Sequence, residues 1–224
     1  MVTAARYRAQ RLRYDAVADP YTVIHVETND IEQFNEEIGT NWGLGRIESG
    51  HWDAAQNCRP IRSSTHYQGL KQRFEEGYDW KDTVYYQQRK HSIANDDENR
   101  LEYVEKLYED IRTNGYRPNY EAVHDAPDFD GRQSRFRHLH SLEPLVLIAR
   151  DGETYLAEGF HRLAIAKLVG VAEVPVNVLA RHEEWQHVRE AVRRHGGNAT
   201  AAGLGRYADH PDLRDVTNEV ERSR

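Results

Sequence analysis

Residues 158–162 read Glu-Gly-Phe-His-Arg and run directly into the apolar stretch Leu163-Ala164-Ile165-Ala166. An apolar helix that opens on His161-Arg162 puts two basic side chains at its first turn. Unpaired N–H groups and the positive end of the macrodipole are already there. Two more cations at that end are locally unfavourable, so the pattern calls for an anion. Phosphate is the first candidate, held by backbone N–H groups, a planar guanidinium fork and an imidazolium. Gly159 would let the backbone approach such a ligand closely. Glu158 could bind Mg²⁺, orient Arg162, act as a base, or simply form an ion pair with Arg162.

Other residues offer weaker chemistry. Residues 121–144 begin acidic, with Asp125, Asp128 and Asp130, and end basic, with Arg132, Arg135, Arg137, His138 and His140. Arg132, Arg135 and Arg137 could be secondary contacts to an anion or to nucleic acid. More often such a charge run is solvated surface. The His138-x-His140 pair has no third ligand at good spacing, so no metal site is assigned. Cys58 is the single cysteine, which excludes a disulfide within the chain and a cysteine-based zinc cluster. Trp42, Trp52 and Trp80 are expected in the core.

Several elements must position these groups. The run Leu145–Ile148, the Asp151-Gly152 turn signal and residues 153–157 predict a hairpin ahead of the His-Arg helix, which Gly170 ends. Val174, Val176 and Val178 alternate in a following strand, and Trp185, Val188 and Val192 mark an amphipathic helix. Residues 98–115 give the clearest helix, with Leu101, Val104, Leu107, Tyr108 and Ile111 on one face. Ser64-Thr65 caps a helix that ends at Gly77. Residues 20–31 read as a strand, with capping chemistry at Thr28-Asn29-Asp30 for a helix over the following stretch. Residues 41–53 read as an ordered glycine-rich loop without a Walker signature.

The order of these pieces resembles the ParB/sulfiredoxin superfamily. The resemblance is carried by Ile111 to Gly115, Leu145–Ile148, Gly159-Phe160-His161-Arg162, the helix after it, and Val174-Pro175-Val176, and spans roughly residues 99–180. It implies an α/β (α+β) fold: a small mixed sheet with surrounding helices over residues 96–195. An N-terminal helical and irregular elaboration (1–95) would pack on it, and a charged, Gly/Ala-rich tail (196–224), read as loosely attached, would follow. It further implies a nucleotide-binding turn, with Gly159, His161 and Arg162 on the phosphates and a nucleoside di- or triphosphate with Mg as cofactor. Phe160 stands where sulfiredoxins carry their catalytic cysteine, so that activity is not expected. No helix-turn-helix pattern follows, which disfavours centromere binding. The expected activity is a kinase-like phosphotransferase or nucleotide hydrolase acting on an unspecified small-molecule or protein acceptor, with Glu158 as its acid/base residue. The alternative is a non-catalytic nucleotide- or DNA-binding regulatory module.

Composition sets the outer limits. The 224 residues are ample for a core, and 37 acidic against 30 basic residues give a formal charge of −7. A general nucleic-acid coat would be basic, so DNA is the less favoured partner. Only five of the basic residues are lysines; high Arg with low Lys fits a GC-rich genome, and with the acid excess it also fits a mildly salt-adapted protein. No apolar leader or membrane-length run is present, so a cytoplasmic protein with no membrane partner is expected.

Overall fold

The structure is a computed structural model that describes residues 2–40, 43–89, 97–119 and 142–218, at 97–99 and 218 the backbone alone. In these stretches the chain forms one seven-stranded mixed sheet and seven α-helices. The strands are β1 (Val23–Glu27), β2 (Gln33–Asn35), β3 (Arg46–Glu48), β4 (Cys58–Pro60), β5 (Leu145–Ile148), β6 (Thr154–Glu158) and β7 (Glu173–His182). The helices are α1 (Val2–Gln10), α2 (Thr65–Phe74), α3 (Val84–Arg89), α4 (Asp97–Asn114), α5 (Phe160–Val169), α6 (Glu183–Arg194) and α7 (Arg214–Asn218). None of the described helices is long and apolar enough to cross a membrane.

The ten-residue strand β7 organises the sheet, and every residue from Val174 to His182 is buried. One edge of β7 is shared: β1 lies antiparallel along its first half, from Val23 opposite Asn177 to Glu27 opposite Glu173. β3 lies parallel along its second half, from Arg46 opposite Ala180 to Glu48 opposite His182. The other edge takes β5 in parallel, and the order continues through β6 and β2 to β4.

Both faces of the sheet are covered, which is why the run Leu145–Ile148 has no polar alternation. Its side chains divide by the two-residue strand period. Val146 and Ile148 join Leu156, Val174, Val176 and Val178 under α2, α4 and α5, whereas Leu145 and Leu147 pack with Tyr155, Leu179, Leu44 and Trp52. The pairing of β5 with β7 skips Leu179, since Val146 faces Val178 and Leu147 faces Ala180. That bulge re-aims the second half of β7.

The hairpin and helices α2, α4, α5 and α6 fall where the spacing predicts them. Ser64 caps α2 by accepting from the Tyr67 amide at 3.1 Å, and Gly170 ends α5 at φ 80°. Three expectations are corrected. The stretch after Asp30 holds β2 rather than a helix, because Phe34 is buried and Asn35 Nδ2 donates to Trp52 O at 2.7 Å. The N-terminal elaboration is not merely helical and irregular: four of the seven strands come from it. The tail is docked, with Ala199, Leu213 and Val216 buried. Asp212 anchors it, accepting from Trp185 Nε1 at 2.9 Å and pairing with Arg181 and Arg189, which hold its carboxyl far below the usual range despite full burial.

Candidate functional site

The sheet delivers the Gly159 turn to the start of α5. β6 ends at Glu158, and Gly159 takes φ 93° before the helix begins. A Cβ at Gly159 would lie 2.9 Å from the Pro144 Cα, so a side chain is excluded by space as well as by backbone conformation. Glu158 is exposed, and its Oε1 accepts from the Gly159 amide at 3.2 Å.

Arg162 does not pair with Glu158. Its Nη2 donates to Leu142 O at 2.8 Å, and its Nη1 faces Glu143 Oε2 at 3.4 Å. The Glu143 side chain is only 3% exposed. Its Oε1 accepts from the Asn119 amide at 2.6 Å, and its own amide donates to Asn177 Oδ1 at 3.0 Å. Burial raises the Glu143 carboxyl above the usual range, opposed by the Asn119 amide, Arg162 and His25. Arg162 therefore ties the first turn of α5 to the segment entering β5.

His161 differs more sharply from expectation. Its Nε2 lies 2.8 Å from Tyr85 Oη, and its ring meets His66 edge-on at 4.8 Å. Burial pushes its pKa well below the usual histidine value, and His66, Arg89, Arg100 and Arg162 push the same way. The ring is neutral at pH 7, so the imidazolium expected at this turn is not there.

The surrounding residues come from the N-terminal half. His66 on α2 stacks on Phe160 at 5.0 Å and accepts at Nε2 from Arg89 Nη2 at 3.1 Å. Burial, then Arg89 and Arg100, lower its pKa to about 3. Gly69 on α2 lets α3 come this near, since a Cβ there would fall 2.2 Å from the Tyr85 Cβ. The start of α5 thus gathers guanidinium groups from α3, α4 and α5 and two neutral imidazoles. Sequence reasoning identified His161 and Arg162 but missed His66, Tyr85, Arg89 and Arg100. One signal was available for Arg100. It stands four residues before Val104, on the stripe that continues through Leu107 and Ile111, where a charge calls for a reason.

Elsewhere the chemistry is different. A cleft of about 400 Å³ opens at the turn end of the hairpin, lined by Asp30, Glu32, Asp151, Glu153 and His210. Burial pushes His210 down, so the lining is acidic and repels phosphate. Among the described residues no group of three or more His, Cys, Asp or Glu is arranged to hold a metal. Cys58 is half-buried, near Asn35 Nδ2 at 3.5 Å. Trp52 is buried and Trp80 packs edge-on to Phe74. Trp42, Arg132, Arg135, Arg137, His138, His140 and Asp125, Asp128 and Asp130 lie outside the described residues.

Compared with protein-family models, curated proteins and solved structures, the chain matches none.

Proposed function

We propose that this protein binds the phosphate groups of a nucleotide at the start of α5, as a nucleotide-binding protein of ParB/sulfiredoxin type. One observation carries this: Arg89 on α3 and Arg100 on α4 act on both His66 and His161, Arg162 acts on His161, and this positive charge works with burial to keep the two rings beside the first turn of α5 unprotonated. A polyanion at that point meets guanidinium donors and first-turn amides together. Arg162 is mainly a positioning residue, because Leu142 and Glu143 already engage it. The proposed ligand contacts are Arg89, which would exchange its His66 contact for the anion, Arg100, and the first-turn amides of α5.

A phosphotransfer or hydrolysis reaction here would use Glu158, whose exposed carboxylate stands at the same terminus, to take the proton of an attacking hydroxyl or water. The donor set fits Mg²⁺ only as an ion carried in by the nucleotide's own phosphates.

Thermal-shift measurements with ATP, ADP, CTP, GTP and pyrophosphate, with and without Mg²⁺, test the site. A ligand at a hundred times its Kd adds about 2.7 kcal/mol. The expected result is a nucleotide-dependent rise in Tm for the wild type that disappears in the Arg89→Gln/Arg100→Gln double variant. No shift with any of these compounds overturns the proposal. For catalysis, Glu158→Gln should retain the shift and lose turnover; unchanged turnover removes Glu158 from the mechanism.

A further inference from the structure

The contact between His66 and Arg89 has a one-way chemistry. A guanidinium carries only donors, so His66 Nε2, at 3.1 Å from Arg89 Nη2, must be the acceptor. The ring proton then sits on Nδ1 and the imidazole is neutral. A proton on Nε2 and the Arg89 contact exclude each other.

The named groups facing His66 among the described residues are cationic or aromatic, and none of them supplies a negative charge. α3 contributes Arg89 and the Tyr85 ring at 5.4 Å, and α4 contributes Arg100. α5 contributes the Phe160 ring at 5.0 Å and the edge of His161 at 4.8 Å. Arg62, just ahead of α2, turns to the Tyr67 hydroxyl at 3.2 Å. The named charges that act on His66 are positive.

An oxyanion at this site reverses both conditions. It accepts the Arg89 donors, which frees His66 Nε2, and it supplies the negative charge that an imidazolium needs. We propose that oxyanion binding at the start of α5 is coupled to uptake of one proton by His66, which then donates to the bound anion. The coupling rests on the phosphate-site reading and adds its regulation: affinity for a phosphate or sulfate dianion rises as pH falls. By linkage, a bound anion raises the proton affinity of His66 by the same factor. Histidine is suited to this because its ordinary pKa lies just below neutral pH.

Sulfate is the cleanest probe, since it stays a dianion over the range tested. Its Kd for the full chain would be measured by calorimetry at pH 6, 7 and 8 at constant ionic strength, in two buffers of different ionisation enthalpy. ATP competition would locate the sulfate. The expected result is an affinity that rises by up to about tenfold per unit fall in pH, with net proton uptake. His66→Asn should lose the pH dependence and, at pH 6, bind sulfate no more tightly than at pH 8. Because that variant could also disturb packing, nitrogen-15 NMR of the wild-type ring provides a second measurement. His66 Nε2 should change from an unprotonated acceptor to a protonated donor when sulfate is added. Sulfate binding that is equal at pH 6 and 8, or an unchanged Nε2 signal at saturation, overturns the coupling and leaves the phosphate site standing. If neither sulfate nor ATP binds at any pH, both proposals fall.

Discussion

At Arg162 the guanidinium is committed to Leu142 O and to Glu143, whose carboxylate is buried, before any ligand arrives. Removing it leaves that carboxylate without its cation. Arg162→Leu should therefore destabilise the fold by about 3 kcal/mol, read from urea unfolding. Adding Glu143→Gln should recover part of the loss, because an amide in that position carries no charge. A single variant as stable as wild type would mean that the pair contributes nothing. For the same reason, lost nucleotide binding in an Arg162 variant must be read against its stability before it says anything of ligand contacts. The sequence showed that His161 and Arg162 sit at a helix start, because glycine, position and apolar continuation are local signals. It could not show that Glu143 rather than Glu158 would face Arg162. Glu158 is nearer in the chain, and only the meeting of the segment before β5 with α5 decides the choice. Nor could it show that His161 is neutral, since that depends on burial and on arginines from α3 and α4.

Gly69 governs the α2–α3 contact. Glycine to alanine within a helix normally stabilises by about 1 kcal/mol. Here the added methyl would fall 2.2 Å from the Tyr85 Cβ, so α3 must move away. Gly69→Ala should lose about 1–3 kcal/mol instead, and hydrogen exchange should show α3 less protected. A gain in stability would show that the two helices are not held at this separation. At this scale, legibility followed length and period. α4 presents Val104, Leu107 and Ile111 at regular spacing over 18 residues, and the spacing marks it clearly. β2, β3 and β4 are three residues each, Gln-Phe-Asn, Arg-Ile-Glu and Cys-Arg-Pro, too short for any alternation to register. What makes them strands is the partner beside them.

Across the whole molecule, His66, His161 and His210 are all held neutral by burial. Their folded pKa values lie below 6.5, while the unfolded chain takes up their protons near 6.5. Protons thus favour the unfolded state, and stability must fall as pH falls from 6.5, a loss that for His66 ends near 3. Each such group contributes a slope of about 1.4 kcal/mol per pH unit within its window. Urea midpoints measured from pH 8 to pH 4 should be flat at first and then drop steeply below 6.5. A flat curve down to pH 5 would show that these rings are protonated in the fold. The docked tail also belongs to this scale. Its glycines and alanines read as loose chain, because the residue that fixes it, Asp212, finds Arg181 and Arg189 only in three dimensions.

The shared edge of β7 also has a consequence in time. Residues 23 and 46 pair with residues 177 and 180, so the early strands β1 and β3 wait for β7, the last of the described strands. Contacts of such long sequence separation make folding slow. The emerging chain must carry Ile24 and Val26 without their strand partners until β7 leaves the ribosome. Protease digestion of ribosome-stalled chains should find them open when they end before residue 173 and closed soon after residue 182 is exposed. Until then those apolar strands are surfaces for a chaperone to hold.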